Sequence, residues 1–234
     1  MTRLVVLGAA CAALLAAGAG SASAATEECR GLMVCVPIAG PWVVLPTSTA
    51  VPRARIEYQL SCPKRYVVGG LDAELSDPSI DVGFLATLGS PVTPGVTTSQ
   101  NAVLFGMYVG GGRPAASYRP HVGCLPATGG GARVRTGVTI YRVGQPTVRH
   151  VRTVQISPGA ATVAATCARG ERLVYASHAI GFYTSTPPPA GLARSVTAQR
   201  AIRGDGVVVS VHAGGAIEGV RAVVQVSAIC ARTS

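Results

Sequence analysis

Apolar and polar residues alternate with a period of two over long stretches of this chain, and the alternation is sharpest beside cysteines. In ARIEYQLSC, residues 54–62, Ala54, Ile56, Tyr58, Leu60 and Cys62 share one face, while Arg55, Glu57, Gln59 and Ser61 share the other. Val220, Ala222, Val224, Val226, Ala228 and Cys230 stand in the same way against Arg221, Gln225 and Ser227. This is the period of a β-strand, whose successive side chains point to opposite faces. Cys124 follows Val122, and Cys167 follows Val163 and Ala165, in the same parity, so all four cysteines fall on the apolar side. Further strands are expected in PWVVLP, ARVRTGVTIYRVG, HVRTVQI and GVVVSVHA, with Gly204-Asp205-Gly206 as a turn. No stretch carries a capped apolar period of 3.6, so the expected class is all-β.

The strands fall into two loosely similar segments. IEYQLSCPKRYVVGGLDAEL, a Pro/Gly stretch SPVTPGV, FGMYVGGG and YRPHVGC make the first; ATVAATCARGERLVYASHAI, STPPPAGL, VVVSVHAGG and VQVSAIC make the second. Each opens and closes on cysteines at nearly equal separation, which marks a duplicated unit. We therefore expect two tandem antiparallel sandwich- or prism-like repeats. Their boundaries are residues 42–124 and 148–234, with an N-terminal segment at 25–41 and a linker carrying one strand at 125–147. The repeat symmetry pairs Cys62 with Cys124 and Cys167 with Cys230, and leaves Cys29 with Cys35; the sequence by itself permits other pairings. Closing a loop of the longer kind contributes roughly 4 kcal/mol in the chain-entropy model.

The first residues change the picture from fold to compartment. Arg3, an apolar run over 4–20 and Ala22-Ser23-Ala24 have the form of a secretory signal peptide over residues 1–24. Removing it takes away Cys11 and leaves six of the seven cysteines, an even number that suits disulfides in an exported protein. The chain has no C-x-x-C and no Cys/His spacing of a zinc site. Its formal charge of +10 comes almost wholly from arginine, with Lys64 the single lysine. That balance favours anionic partners such as a wall polymer, an acidic lipid surface or nucleic acid, and it also serves simple solubility; aromatic residues are too few for a specific nucleic-acid platform, and no membrane span is expected after cleavage.

The order of cysteine, short basic turn, Val-Val-Gly-Gly strand, Pro/Gly loop and a closing strand ending VSAICA resembles the duplicated cysteine-bounded β-repeats of proteins exported by actinobacteria. The resemblance covers about residues 42–232 and implies secretion, disulfides and β-structure, with no assigned chemistry. Arginine-rich, lysine-poor usage fits the GC-rich genomes of that group.

Candidate chemistry is sparse. GGLDAELSDPSID, residues 69–81, gathers Asp72, Glu74, Asp77 and Asp81 in a chain with few acids. On a strand Asp72 and Glu74 point the same way, about 7 Å apart. Such a pair suits a Ca²⁺ ligand set, or the acid and base of a glycan hydrolase. It equally suits a strand with a wet face followed by a turn at 76–79. Aligning Val67-Val68 with Leu173-Val174 sets His178 opposite Asp72 and Ile180 opposite Glu74, so the acids belong to one copy only. His121, His150, His178 and His212 form no H-E-x-x-H, and His121 and His212 fall on polar faces. Arg133 and Arg135 share a strand face as a candidate stripe for an anionic polymer, near Tyr141, Arg142, Arg149 and Arg152. YTSTPPPAGL is the loop best suited to insert into a partner, because its prolines hold an extended shape. The leading expectation is an exported, non-enzymatic β protein without a cofactor, associating with the cell envelope or with extracellular anionic or glycan matter; the alternatives are a secreted, glycan-directed hydrolase using Asp72 and Glu74, or a disulfide-scaffold inhibitor or effector.

Overall fold

A computed structural model describes residues 26–32, 34–47, 51–86, 100–111, 115–127 and 147–232. The signal-like segment, Arg133, Arg135, Tyr141 and Arg142 lie outside the described residues. Among the described residues the fold is β, apart from one five-residue helix and a single 3-10 turn. Its strands are β1 (Val36–Ala39), β2 (Trp42–Leu45), β3 (Ile56–Ser61), β4 (Tyr66–Leu75), β5 (Ile80–Leu85), β6 (Asn101–Tyr108) and β7 (Ala116–Pro126), followed by β8 (Thr147–Ile156), β9 (Gly159–Thr166), β10 (Glu171–Phe182), β11 (Val196–Arg203), β12 (Gly206–Ala213) and β13 (Ala222–Arg232). The helix α1 (Ala190–Arg194) precedes β11.

One seven-stranded sheet runs through the whole molecule, and a three-stranded sheet packs on each half of it. β1 and β2 line one edge of β7, and β4 lines the other. β13 sits in the same way between β8 and β10. The smaller sheets are β3-β6-β5 and β9-β12-β11, with matching order. The repeat is thus a six-strand sandwich, and the N-terminal segment expected at 25–41 supplies part of the first copy's sheet through β1. We refer to the N-terminal and C-terminal modules.

Each module is closed across its two layers by a disulfide at the same place. Cys62, just after β3, joins Cys124 on β7, and Cys167, just after β9, joins Cys230 on β13. Inward residues of both layers make one core per module: Leu60, Val68, Leu104, Tyr118 and Val122 in the first, Val163, Val207, Val209, Val224 and Val226 in the second. Tyr118 crosses the first core and donates its hydroxyl to the Leu104 carbonyl at 2.9 Å. Burial pushes that hydroxyl's pKa well up, so it stays a neutral donor.

The modules are joined head to tail. β2 pairs with the last residues of β10, Val43 opposite Gly181 and Trp42 opposite Phe182. A Cβ on Gly181 would stand 2.5 Å from Pro41 Cγ, so only glycine allows this approach. Ala179 and Val223, on the outer face of the C-terminal module's large sheet, pack into the N-terminal module's core. The polar face of β3 closes the rest of the junction. Gln225 Oε1 accepts the Gln59 backbone N–H at 2.6 Å, and Gln225 Nε2 donates to the Gln59 carbonyl at 3.0 Å. Glu57, with its side chain 4% exposed, accepts from Arg149 at 2.8 Å and from Arg55 at 2.9 Å. Glu57 and Gln59 of β3 are therefore part of a module interface.

Candidate functional site

The four acids of residues 69–81 do not meet at one point. Asp72 and Glu74 project from the outer face of β4, opposite His121 and Arg119 of β7. Asp77 is buried in the following turn, where its Oδ1 accepts the Ser79 N–H at 2.8 Å. Asp81 is exposed on β5, in the other layer. A Ca²⁺ ion takes six to eight oxygens, and these carboxylates do not surround a common centre.

What covers Asp72 and Glu74 is the N-terminal turn closed by Cys29–Cys35. The Glu27 N–H donates to Asp72 Oδ2 at 2.7 Å, and the Ala73 N–H donates to Oδ1 at 2.8 Å. Glu28 lies over the sheet: a Cβ on Gly70 would stand 1.8 Å from its carbonyl oxygen, and one on Gly123 2.2 Å. Two glycines, one on each strand, make the seat for this carbonyl.

The Glu28 side chain is 4% exposed, and its Oε1 lies 3.6 Å from His121 Nδ1. On the other side of the ring, Nε2 is 2.8 Å from Glu74 Oε1 but out of line for a hydrogen bond. Arg119 completes the row, 3.5 Å from Glu74 Oε1 and donating through Nε to the Gly40 carbonyl at 3.2 Å. His121 is therefore buried between two carboxylates, a correction to its expected place on a solvated face. The arrangement holds a turn down: both Asp72 oxygens accept backbone N–H groups, and Glu74 Oε1 lies against His121 and Arg119.

The copy-to-copy alignment also changes. Val68 pairs with Cys124 and Leu173 with Cys230, so Val68 corresponds to Leu173. Asp72 then corresponds to Ser177 and Glu74 to Ala179, where the sequence alignment gave His178 and Ile180. A slip of one residue exchanges the two faces of a strand. The acids remain specific to the first copy.

Other expected residues have structural roles. Arg149 is engaged with Glu57 and Ser227 at the module junction, whereas Arg152 is exposed on β8. His150 Nε2 lies 2.6 Å from Glu171 Oε2, and Cys230 Sγ is near both, but that sulfur belongs to a disulfide and offers no thiolate. The loop at 183–192 is folded back on the molecule: Tyr183 packs against the N-terminal module's core with Arg221 stacked on it at 4.1 Å, Pro188 is buried, and α1 ends the extended stretch that the prolines suggested.

One surface feature escaped the sequence reading. β10 bulges at Val174, between Leu173 and Tyr175, and the bulge turns Val174 outward to 61% exposure. Across the mouth of the sandwich, Ile202 of the edge strand β11 is 55% exposed. Leu173, Val174, Tyr175, Ala176, Arg200 and Ile202 line an open cleft of about 340 Å³. Exposed Arg172 precedes it on β10 and exposed Arg203 follows Ile202, while the Arg200 guanidinium donates to the Ala176 carbonyl at its floor. The matching bulge residue in the first copy is Gly69, set against Leu125, so this apolar lip exists only in the C-terminal module.

Three disulfides tie the described residues together, and none of their helices is long and apolar enough to cross a membrane. No protein-family model, curated protein or solved structure matches this chain.

Proposed function

We propose that this is an exported, non-enzymatic protein of the cell envelope that docks on an acidic lipid surface through the Val174–Ile202 cleft. The observation that carries the reading is the combination at that cleft: three large apolar side chains face solvent, Arg200 lines the cleft, and exposed Arg172 and Arg203 adjoin Leu173 and Ile202 in the chain, on a protein of formal charge +10. Apolar side chains rimmed by arginine suit the boundary between acyl chains and anionic headgroups, because the rings and methyl groups enter the former while guanidinium groups meet the latter. The signal-like N-terminus and the disulfides agree with a location outside the cytoplasm.

Vesicles of phosphatidylcholine with and without phosphatidylglycerol test it by co-sedimentation. Binding is expected only with the anionic lipid and is expected to weaken with salt. Arg172→Gln with Arg203→Gln removes about 1 kcal/mol per arginine, roughly a 30-fold loss of partitioning. Val174→Ser with Ile202→Ser lowers binding without changing its salt dependence. Equal binding to neutral vesicles, or none at low salt while purified wall polymer is bound, would overturn the proposal.

A further inference from the structure

The junction between the modules is a heterologous contact, and contacts of that kind leave both complementary surfaces free at the two ends of the array. Here the joined edges are β2 of the N-terminal module and β10 of the C-terminal one. Among the described residues their counterparts, β8 and β4, end the seven-stranded sheet on opposite sides. The outer face that receives the N-terminal module presents Ser177, Ala179 and Gln225, and their counterparts on the N-terminal module are Asp72, Glu74 and Arg119. On that second face lies the Cys29–Cys35 turn.

We infer that the β4–β7 face is a docking surface for a second copy of this chain, and that the N-terminal disulfide turn is the plug that keeps it closed. Three observations carry this. The turn rests on the counterpart of a surface that is already an interface within the molecule. Its Glu27 N–H and Glu28 carboxylate engage Asp72 and His121, which correspond to Ser177 and Ser227 of the junction. And the seat for its backbone is built from Gly70 and Gly123, at positions where the other module has Tyr175 and Ile229. The acids and the histidine thus fasten a strap across an edge that would otherwise continue the array, with the β8–β9 end of a second molecule as the piece that fits. This inference does not depend on the lipid-docking proposal.

The test uses the full chain with Gly70→Ala and Gly123→Ala, which place methyl groups where the Glu28 carbonyl sits. Sedimentation velocity over a wide concentration range reads association, and hydrogen exchange maps it. The native chain is expected to keep a constant mass; the variant is expected at least to double its mass as concentration rises, with new amide protection confined to β4, β7, β8 and β9. A second variant, Cys29→Ser with Cys35→Ser, alters no sheet residue and is read in the same way should the glycine variant fail to fold. A folded variant that stays monomeric overturns the inference. So does an oligomer protected elsewhere, or a native chain that already associates through β4 and β8 with its turn in place.

Discussion

Replacing Gln225 with leucine probes the joint between the modules at its most specific contact. The side chain is 4% exposed and gives Gln59 both halves of a backbone-like pair, one accepted and one donated hydrogen bond, while its amide nitrogen also reaches Thr153 Oγ1 at 3.0 Å. Leucine keeps much of the volume and offers no polar atom. The Gln59 N–H and carbonyl then lose their partners on the free edge of β3. Each orphaned backbone group in such a place costs about 1–3 kcal/mol, and the half-buried setting of Gln59 puts both at the low end, about 2–3 kcal/mol together. For a chain of this size each kcal/mol lowers the melting temperature by roughly 2–4 °C, so the expected fall is about 5–10 °C in a calorimetric scan. Gln199→Leu, on the exposed face of the edge strand β11, controls for the chemistry of the exchange and is expected to change stability by less than about 0.5 kcal/mol. Hydrogen exchange gives a local reading, since the Gln59 amide should lose protection more than its neighbours. A loss below about 1 kcal/mol with Gln59 still protected would refute the argument that this side chain seals the edge.

Two further outcomes follow from the cross-links and from burial. Cys62→Ala with Cys124→Ala opens a loop of separation 62 and should cost about 4 kcal/mol, against about 2 for Cys29→Ser with Cys35→Ser at separation 6; denaturant midpoints in the reverse order would contradict the loop-length argument. Burial, with help from the Arg200 guanidinium, holds His178 below the usual imidazole value of 6.5, so below that pH the unfolded chain binds more protons than the folded one. Stability should therefore fall as pH drops through 6.5, and His178→Gln should flatten that part of the slope in urea midpoints taken on either side.

Much of the architecture was legible because alternation is a local signal. The parity that put Tyr58, Leu60 and Cys62 on one side of β3 and Val224, Val226 and Cys230 on one side of β13 is the parity of the two cores. What alternation cannot reveal is the object that packs on the opposite face. Glu57, Gln59, Gln225 and Ser227 have the polarity of a wet surface and instead meet one another across the junction. His121 was misplaced for the same reason, since the partner that buries it comes from the turn around Glu28, far away in the chain. The one-residue error in matching the copies arose at Gly69 and Val174, the bulged positions, where apolar runs slide past each other without penalty in the sequence. The cleft at Val174 depends on that same bulge and left no periodic trace.

The two long disulfides also decide how this protein responds to being pulled. Each spans the layers of one module and encloses four of its strands, β4–β7 in the first and β10–β13 in the second, with sequence separations of 62 and 63. A stretched residue covers at most about 3.3–3.6 Å, so each closed loop withholds roughly 200 Å of chain from extension. Tension applied at the two ends is transmitted through the sulfur bridges and falls on the strands outside the loops, β1–β3, β8 and β9, and on the short β2–β10 pairing. Under load these outer strands give way while each closed loop stays together as a cross-linked bead. A single backbone cut inside either loop leaves the halves of that bead tethered as well.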